Sequence, residues 1–167
     1  MFFSDALRRN WDGSVCNCRD EITGRSVRVP VDLDVYIAGF ECKPCSLRHH
    51  NSTSFDVPHA AVFFACKQYI ERARPKVAIL ENVKGVLRFD HVREQRCIDI
   101  VLGELQSIPG YVLDYCELDP TDYGYPIARP RFFFVLCSTS ECRGVDLSAL
   151  RQFKMPTDKT WRTFLGM

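Results

Sequence analysis

Four side chains at the ends of apolar segments have the types and spacing to do chemistry together. Cys42 lies two residues after the apolar run that ends at Phe40, in a position where a cysteine can serve as a thiolate nucleophile. Glu81 ends a second apolar run, and a carboxyl group there can donate a proton. Arg129 and Arg131 are two residues apart, so in an extended segment they share a face and could hold an anion or a carbonyl group.

Each of these residues also has an ordinary structural interpretation. A cysteine at a strand end is commonly a small buried hydrophobic residue, a glutamate is often a cap or a surface residue, and two arginines often form a solvated or ion-paired face. A zinc site made by Cys16, Cys18, Cys42 and Cys45 is a further alternative, which would remove Cys42 as a nucleophile. The Cys-x-Cys spacing of the first pair is uncommon for zinc, so we predict no metal site.

Composition limits the class of protein. The 167 residues suffice for one domain with a core, and 46% hydrophobic and 26% charged residues are ordinary for a globular chain. The net charge of +1 gives no bulk signal for nucleic acid, so such binding would need a local basic groove. No apolar run has the length of a membrane span. Nine cysteines, an odd count in a chain this large, indicate reduced thiols in an intracellular protein.

The apolar periodicity predicts alternating strands and helices that position these side chains. The predicted strands cover residues 34–40, 76–81, 111–119 and 131–138, and the predicted helices cover residues 59–74, 93–107 and 146–153. This order is typical of a doubly wound α/β sheet, and the last two strands, with no helix between them, form an antiparallel hairpin. Ligands bind such sheets at the carboxyl ends of the parallel strands, which places residues 39–45 beside residues 81–83.

Three segments carry a specific resemblance. DVYIAGFECKPCS resembles motif IV of the cytosine-C5 DNA methyltransferases, whose usual form is GFPCQPFS. VFFACKQYIERARPKVAILENVKGVL resembles the motif V helix followed by the ENV motif VI, and DYGYPIARPRFFFV resembles motif VIII. DEIT, residues 20–23, is similar to the acidic motif III that holds the cofactor adenine. The resemblance covers about residues 15–140, in the order of the family.

The resemblance implies a mechanism for each of these residues. Cys42 would attack C6 of a cytosine, and Glu81 would donate to N3 and neutralise the charge that develops on the ring. Arg131 and Arg129 would contact the base O2 and the nearby phosphate. Asn82 would be structural and would tie the Cys42 loop to the second strand. The activated C5 would then accept a methyl group, after the base has flipped out of the duplex.

The resemblance also implies the fold, the cofactor and the partners. The fold would be a Rossmann-like, mostly parallel sheet with an antiparallel edge hairpin, and the cofactor would be S-adenosylmethionine. Its contacts would come from Glu21, Ile22, Gly39 and Val62. The substrate would be double-stranded DNA, with RNA left open because one branch of the family modifies tRNA. The location would be intracellular, in the nucleus of a eukaryote or the cytoplasm of a prokaryote.

Within the motifs the chain departs from the family at several positions. Cys45 is a competing nucleophile because Pro44-Cys45 imitates the Pro-Cys pair of the family, but the strand-to-loop register favours Cys42. The substituted positions are Glu41 for proline, Lys43 for glutamine, His59-Ala60 for Arg-Gly and Ile127 for the glutamine of motif VIII. These changes affect the expected rate of catalysis and the closure of the loop.

Other parts of the family pattern are missing. No glycine-rich cofactor loop precedes Asp34, and no stretch after Phe153 is long enough for a target-recognition domain. We therefore expect a single partial catalytic domain over residues 1–167, truncated at both ends, that binds S-adenosylmethionine weakly or not at all by itself. It would act with a complementary fragment of a split enzyme, or as a catalytically inactive relative that serves as a binding scaffold.

Overall fold

A computed structural model describes residues 17–19, 26–28, 30–40, 60–91, 93–144 and 146–147. The helices are α1 (Ala61–Ala73) and α2 (Cys97–Gln106), and short 3₁₀ helices cover Lys84–Leu87 and Pro120–Tyr123. The strands are β1 (Asn17–Arg19), β2 (Ser26–Arg28), β3 (Val35–Gly39), β4 (Val77–Val83), β5 (Phe89–Asp90), β6 (Gln95–Arg96), β7 (Tyr111–Leu118) and β8 (Arg131–Ser138).

The central sheet has four strands in the order β3-β4-β8-β7. Strands β3 and β4 are parallel, as expected for two strands joined by a crossover helix, and β7 and β8 form the predicted antiparallel hairpin. The α/β class is confirmed. Within the described residues, however, the sheet has one parallel and two antiparallel pairs, and β8 lies between β4 and β7. Most of β8 is buried, so this strand takes the internal position and its hairpin partner forms the edge.

The first two of the three predicted helices are present, with shifted starts. Helix α1 buries one stripe of apolar residues at helical spacing and ends at Ala73. The next residue, Arg74, has a left-handed φ of 52° and lies directly before Pro75. Helix α2 begins later than residue 93 because β6 pairs with β5, and an extended strand cannot also be helical. The helix predicted at 146–153 lies almost wholly outside the described residues.

The core lies on one face of the sheet, beneath the two helices. A row of aromatic rings crosses this face, in the order Phe63 of α1, Phe40, Phe134 and Tyr115. The centroids of successive rings are 5.0, 6.3 and 6.2 Å apart. The opposite face carries exposed apolar side chains, above all Ile37, which is 70% exposed. Within the part of the chain that the structure describes, no helix reaches the length and apolarity that a membrane span requires.

Candidate functional site

The carboxyl ends of β3 and β4 lie side by side. Gly39 is the register partner of Glu81, and the Phe40 backbone N–H donates to the Glu81 carbonyl oxygen at 3.3 Å. This arrangement confirms that the ends of the first two predicted strands share one rim. Cys42 and Cys45 follow Phe40 by a few residues in the sequence and lie outside the described residues.

Glu81 and Arg131 form an ion pair at this rim. The Arg131 Nε donates to Glu81 Oε1 at 2.8 Å, and the two side chains are 23% and 34% exposed. The pair exists because β8 runs antiparallel to β4 and places Arg131 opposite Val83, two residues beyond Glu81. The charge-assisted hydrogen bond lets the carboxylate orient the guanidinium. Because the pair is only half-buried, a ligand at the rim can still reach both groups.

Arg129 and Arg131 have different surroundings, although the sequence predicts a shared face. Arg129 is exposed, and its side chain makes no ion pair with any residue that the structure describes. Its backbone N–H donates to Asp119 Oδ1 at 3.3 Å. Arg131 is therefore fixed by Glu81, whereas the Arg129 side chain extends from the loop between β7 and β8.

Asp119 is a site residue that reasoning from the sequence missed. Its Oδ1 accepts hydrogen bonds from the backbone N–H of Thr121 at 3.0 Å and from the Thr121 hydroxyl at 2.9 Å, in addition to Arg129. The carboxylate thus joins the two ends of the loop that leads into β8. The hydrogen bond from the Thr121 N–H lowers the pKa of Asp119, so this acceptor stays charged at neutral pH. The Asp-Pro-Thr sequence, a capping residue before proline, is the signal that could have revealed it.

Asn82 ties Phe40, the residue after β3, to β4, in agreement with the structural role that the resemblance implies. The side chain is buried, its Nδ2 donates to the Phe40 carbonyl oxygen at 3.3 Å, and its Oδ1 accepts from the Val83 N–H at 2.7 Å. Asn82 therefore holds Phe40, the last described residue before Cys42.

We expect Asn82→Ala to destabilise the protein by about 1–3 kcal/mol, because it leaves the Phe40 carbonyl and the Val83 N–H without these partners. Urea denaturation followed by circular dichroism measures the loss. Asn82→Asp keeps an acceptor for Val83 but buries a carboxylate oxygen against the Phe40 carbonyl oxygen, so its effect should be at least as large. A midpoint for Asn82→Ala equal to that of the native chain would contradict the role of this side chain.

The described cysteines are poor candidates for the nucleophile. Cys66, Cys116 and Cys137 are reduced but buried, and burial raises the pKa of the Cys66 and Cys137 thiols. Cys142 contacts the Lys76 carbonyl oxygen, beside the start of β4 and at the opposite end of the sheet from the rim. Cys97 is disulfide-bonded, which corrects the expectation that all cysteines are reduced.

The remaining predicted residues fall into two groups. Gly39 lies at the rim, and Val62 lies in the first turn of α1, partly buried against the core. Glu21 and Ile22 lie outside the described residues, and so do the side chains of the alternative zinc ligands Cys16, Cys18, Cys42 and Cys45. Among the residues that the structure describes, no group of three or more potential ligands could hold a metal ion.

These features define an α/β protein with an acid–arginine site at the carboxyl ends of its parallel strands. The model of the C-5 cytosine-specific DNA methylase family matches residues 2–165. The chain therefore belongs to this family, which confirms the resemblance seen in the motifs.

The chain is similar to several type II methyltransferases. It is 33% identical over 104 residues to M.NgoBI of Neisseria gonorrhoeae, covering 62% of this chain and 31% of that protein. It is 32% identical over 130 residues to M.HgiBI of Herpetosiphon aurantiacus, covering 77% and 28%. With M1.ScrFI of Lactococcus lactis subsp. cremoris the identity is 30% over 138 residues, covering 81% and 32%. The chain thus spans less than a third of the length of these relatives.

Two solved structures support the fold. A protein described as a DNA modification methyltransferase encoded within a prophage (E. coli) has a TM-score of 0.55 and 20% identity, covering 75% of this chain and 32% of that one. The Dnmt2 methyltransferase of S. pombe has a TM-score of 0.50 and 18% identity, covering 76% and 35%. At these identities, the likeness shows that the fold is shared.

Proposed function

We propose that this chain carries the base-binding part of a DNA cytosine-C5 methyltransferase, with Cys42 as its nucleophile. The observation that carries the proposal is the Glu81–Arg131 ion pair, joined at 2.8 Å on the rim where β3 leads into the segment of Cys42. A planar base with a ring nitrogen and a carbonyl oxygen can be bound by an acid and an oriented guanidinium that lie close together.

The residues act on the cytosine in turn. The Cys42 thiolate forms a bond to C6 as the C5–C6 double bond of the ring opens, and Glu81 donates the proton of its carboxyl group to N3, where negative charge develops. Arg131, oriented by Glu81, contacts the base O2, while the exposed Arg129 contacts the base or a neighbouring phosphate. Once C5 carries the methyl group, the C5 proton passes to solvent, N3 returns its proton to the Glu81 carboxylate, the C6–S bond breaks, and the Cys42 thiolate leaves.

S-adenosylmethionine is the cofactor of the proposed reaction, and it supplies an electrophilic methyl group when bound. Gly39 and Val62 are the described candidates to hold it, together with Glu21 and Ile22. Gly39 fits this role because it ends β3 at the rim without a side chain, so a ligand can approach its backbone closely.

The proposed substrate is double-stranded DNA with the target cytosine flipped out of the helix. Because the net charge is only +1, the local cations of the loop before β8 would contact the phosphates. A DNA substrate places the protein inside the cell, in the nucleus of a eukaryote or the cytoplasm of a prokaryote.

The chain would work together with the remainder of a methyltransferase. Strands β3 and β4 are parallel, and parallel sheets are ordinarily covered on both faces. The face opposite the core presents Val35 and Ile37 of β3, which are 50% and 70% exposed. We infer that the parts of the family fold beyond the matched segment cover this face, whether they come from the same polypeptide or from a complementary one.

Covalent trapping tests the proposal. The chain, alone and mixed with the part of M.HgiBI that it does not match, is incubated with S-adenosylmethionine and a duplex that contains 5-fluorocytosine. Fluorine at C5 cannot leave as a proton does, so the C6–S bond persists and a covalent complex survives on a denaturing gel.

We expect an adduct with the native chain and with Cys45→Ala, and none with Cys42→Ala. An adduct that survives in Cys42→Ala but disappears in Cys45→Ala would assign the nucleophile to Cys45. A folded chain that forms no adduct in either preparation would contradict the proposal and favour the inactive scaffold.

A further inference from the structure

Gly39 lies directly against the Glu81 carboxylate. The two residues are register partners in β3 and β4, and their side-chain positions lie on the same face of the sheet. Glu81 Oε1 accepts from the Arg131 Nε, while a Cβ placed on Gly39 would lie 3.2 Å from Glu81 Oε2. A carbon–oxygen contact of this length is tighter than most, so a side chain at this position requires the carboxylate to shift by a few tenths of an ångström.

The bond to Arg131 restrains the carboxylate against such a shift. Its bond to Arg131 is 2.8 Å long, already the length of a good charge-assisted hydrogen bond, so it cannot move closer to the guanidinium. On the β8 side, Phe133 is its register partner. An added methyl group would therefore turn the carboxylate away from Arg131.

The backbone does not explain the glycine at this position. Gly39 lies within β3, in an extended conformation that any residue adopts, and glycine inside a strand is entropically unfavourable relative to alanine. The neighbouring Glu81 carboxylate explains the glycine instead, because a side chain at this position would contact it too closely.

We propose that Gly39 is a positioning residue, which keeps the Glu81 carboxylate oriented so that it holds Arg131 toward the base. The inference rests on the proposed function for the role of the two partners in the reaction. It differs from cofactor binding by Gly39, because it acts through Glu81 and operates without any ligand.

Nuclear magnetic resonance of the free chain tests the contact without DNA or cofactor. The Arg131 Nε–H resonance, identified by its loss in Arg131→Lys, should exchange slowly with water in the native chain. In Gly39→Ala we expect its exchange to accelerate by about tenfold or more as the bond to Glu81 opens. Gly103→Ala is the matched control, since nothing lies within 4 Å of a Cβ at that position. An unchanged Nε–H exchange rate in Gly39→Ala would overturn the proposal.

A double-mutant cycle keeps the test decisive if Gly39→Ala is strongly destabilised. In the native background the substitution should lower the midpoint of thermal unfolding. In a Glu81→Ala background, where the carboxylate is gone, the same substitution should raise it, because alanine suits a strand better than glycine. A decrease of similar size in both backgrounds would overturn the proposal.

Kinetic and binding measurements on the active protein distinguish a positioning role of Gly39 from a role in cofactor binding. Positioning predicts that Gly39→Ala lowers kcat while calorimetry finds the affinity for S-adenosylmethionine unchanged. A loss of that affinity with native Nε–H exchange would instead assign Gly39 to the cofactor and overturn the positioning role. Failure of the covalent trapping would contradict the proposed function. It would not change the results expected for the Arg131 Nε–H exchange and for the double-mutant cycle.

Discussion

Replacing Glu81 with glutamine is expected to lower the rate of methyl transfer by about 10²- to 10⁴-fold, the range for loss of a general acid. Glutamine has nearly the same shape, but its amide cannot deliver a proton to N3 of the base. It also gives Arg131 a neutral acceptor in place of the carboxylate that now binds its Nε at 2.8 Å. Single-turnover methylation of a cytosine-containing duplex by the active protein measures the effect.

The substitution should leave the fold intact. Both partners of the ion pair are partly exposed, so its loss should change the free energy of unfolding by less than about 1 kcal/mol. Asp34→Asn is the matched control, because Asp34 and Lys76 form an exposed ion pair of 2.9 Å at the opposite end of β3 and β4. A rate for Glu81→Gln as high as that of Asp34→Asn would argue against Glu81 as the acid.

The largest effect on stability is expected from Phe134→Ala, which should cost about 3–5 kcal/mol because it leaves a cavity in the core. Phe134 is fully buried in the internal strand β8, between its register partners Leu80 and Tyr115. Total stabilities of about 5–15 kcal/mol are usual, so the loss would unfold a large share of a marginal protein. Urea denaturation followed by circular dichroism gives the difference.

Two variants serve as controls for this measurement. Phe134→Leu retains most of the apolar volume and should lose less stability than the alanine variant. Phe89→Ala removes the same side chain from a position that is 51% exposed, so its cost should stay near or below about 1 kcal/mol. Equal losses for Phe134→Ala and Phe89→Ala would show that the aromatic row does not hold the sheet together.

The two predictions concern opposite faces of the same strand ends. Phe134 contacts Phe40 on the core face, and Phe40 is the residue whose carbonyl Asn82 holds. Glu81, Gly39 and Arg131 lie on the other face, at the rim. Packing beneath the sheet therefore determines where the acid and the guanidinium lie above it, and a core cavity should also slow the reaction.

Much of this arrangement followed from the sequence alone. The apolar run of residues 131–138 predicts a strand that the structure reproduces at both ends, because eight residues bounded by proline and a polar turn leave little choice. The strand that ends at Gly39 and the helix that follows it were predicted to within two residues, since periodicity is a local property. The motifs also identified the family and predicted Glu81, Arg129 and Arg131 as site residues, in the order of the family.

The tertiary structure decided how those residues meet. Only the pairing of β8 with β4 places Arg131 against Glu81, and only the register of β3 with β4 places Gly39 against the same carboxylate. The link from Asp119 to Arg129 and the pairing that delays the start of α2 were likewise absent from the sequence prediction. Strand order and register depend on which faces of distant segments are buried together, and no local pattern of residues specifies that.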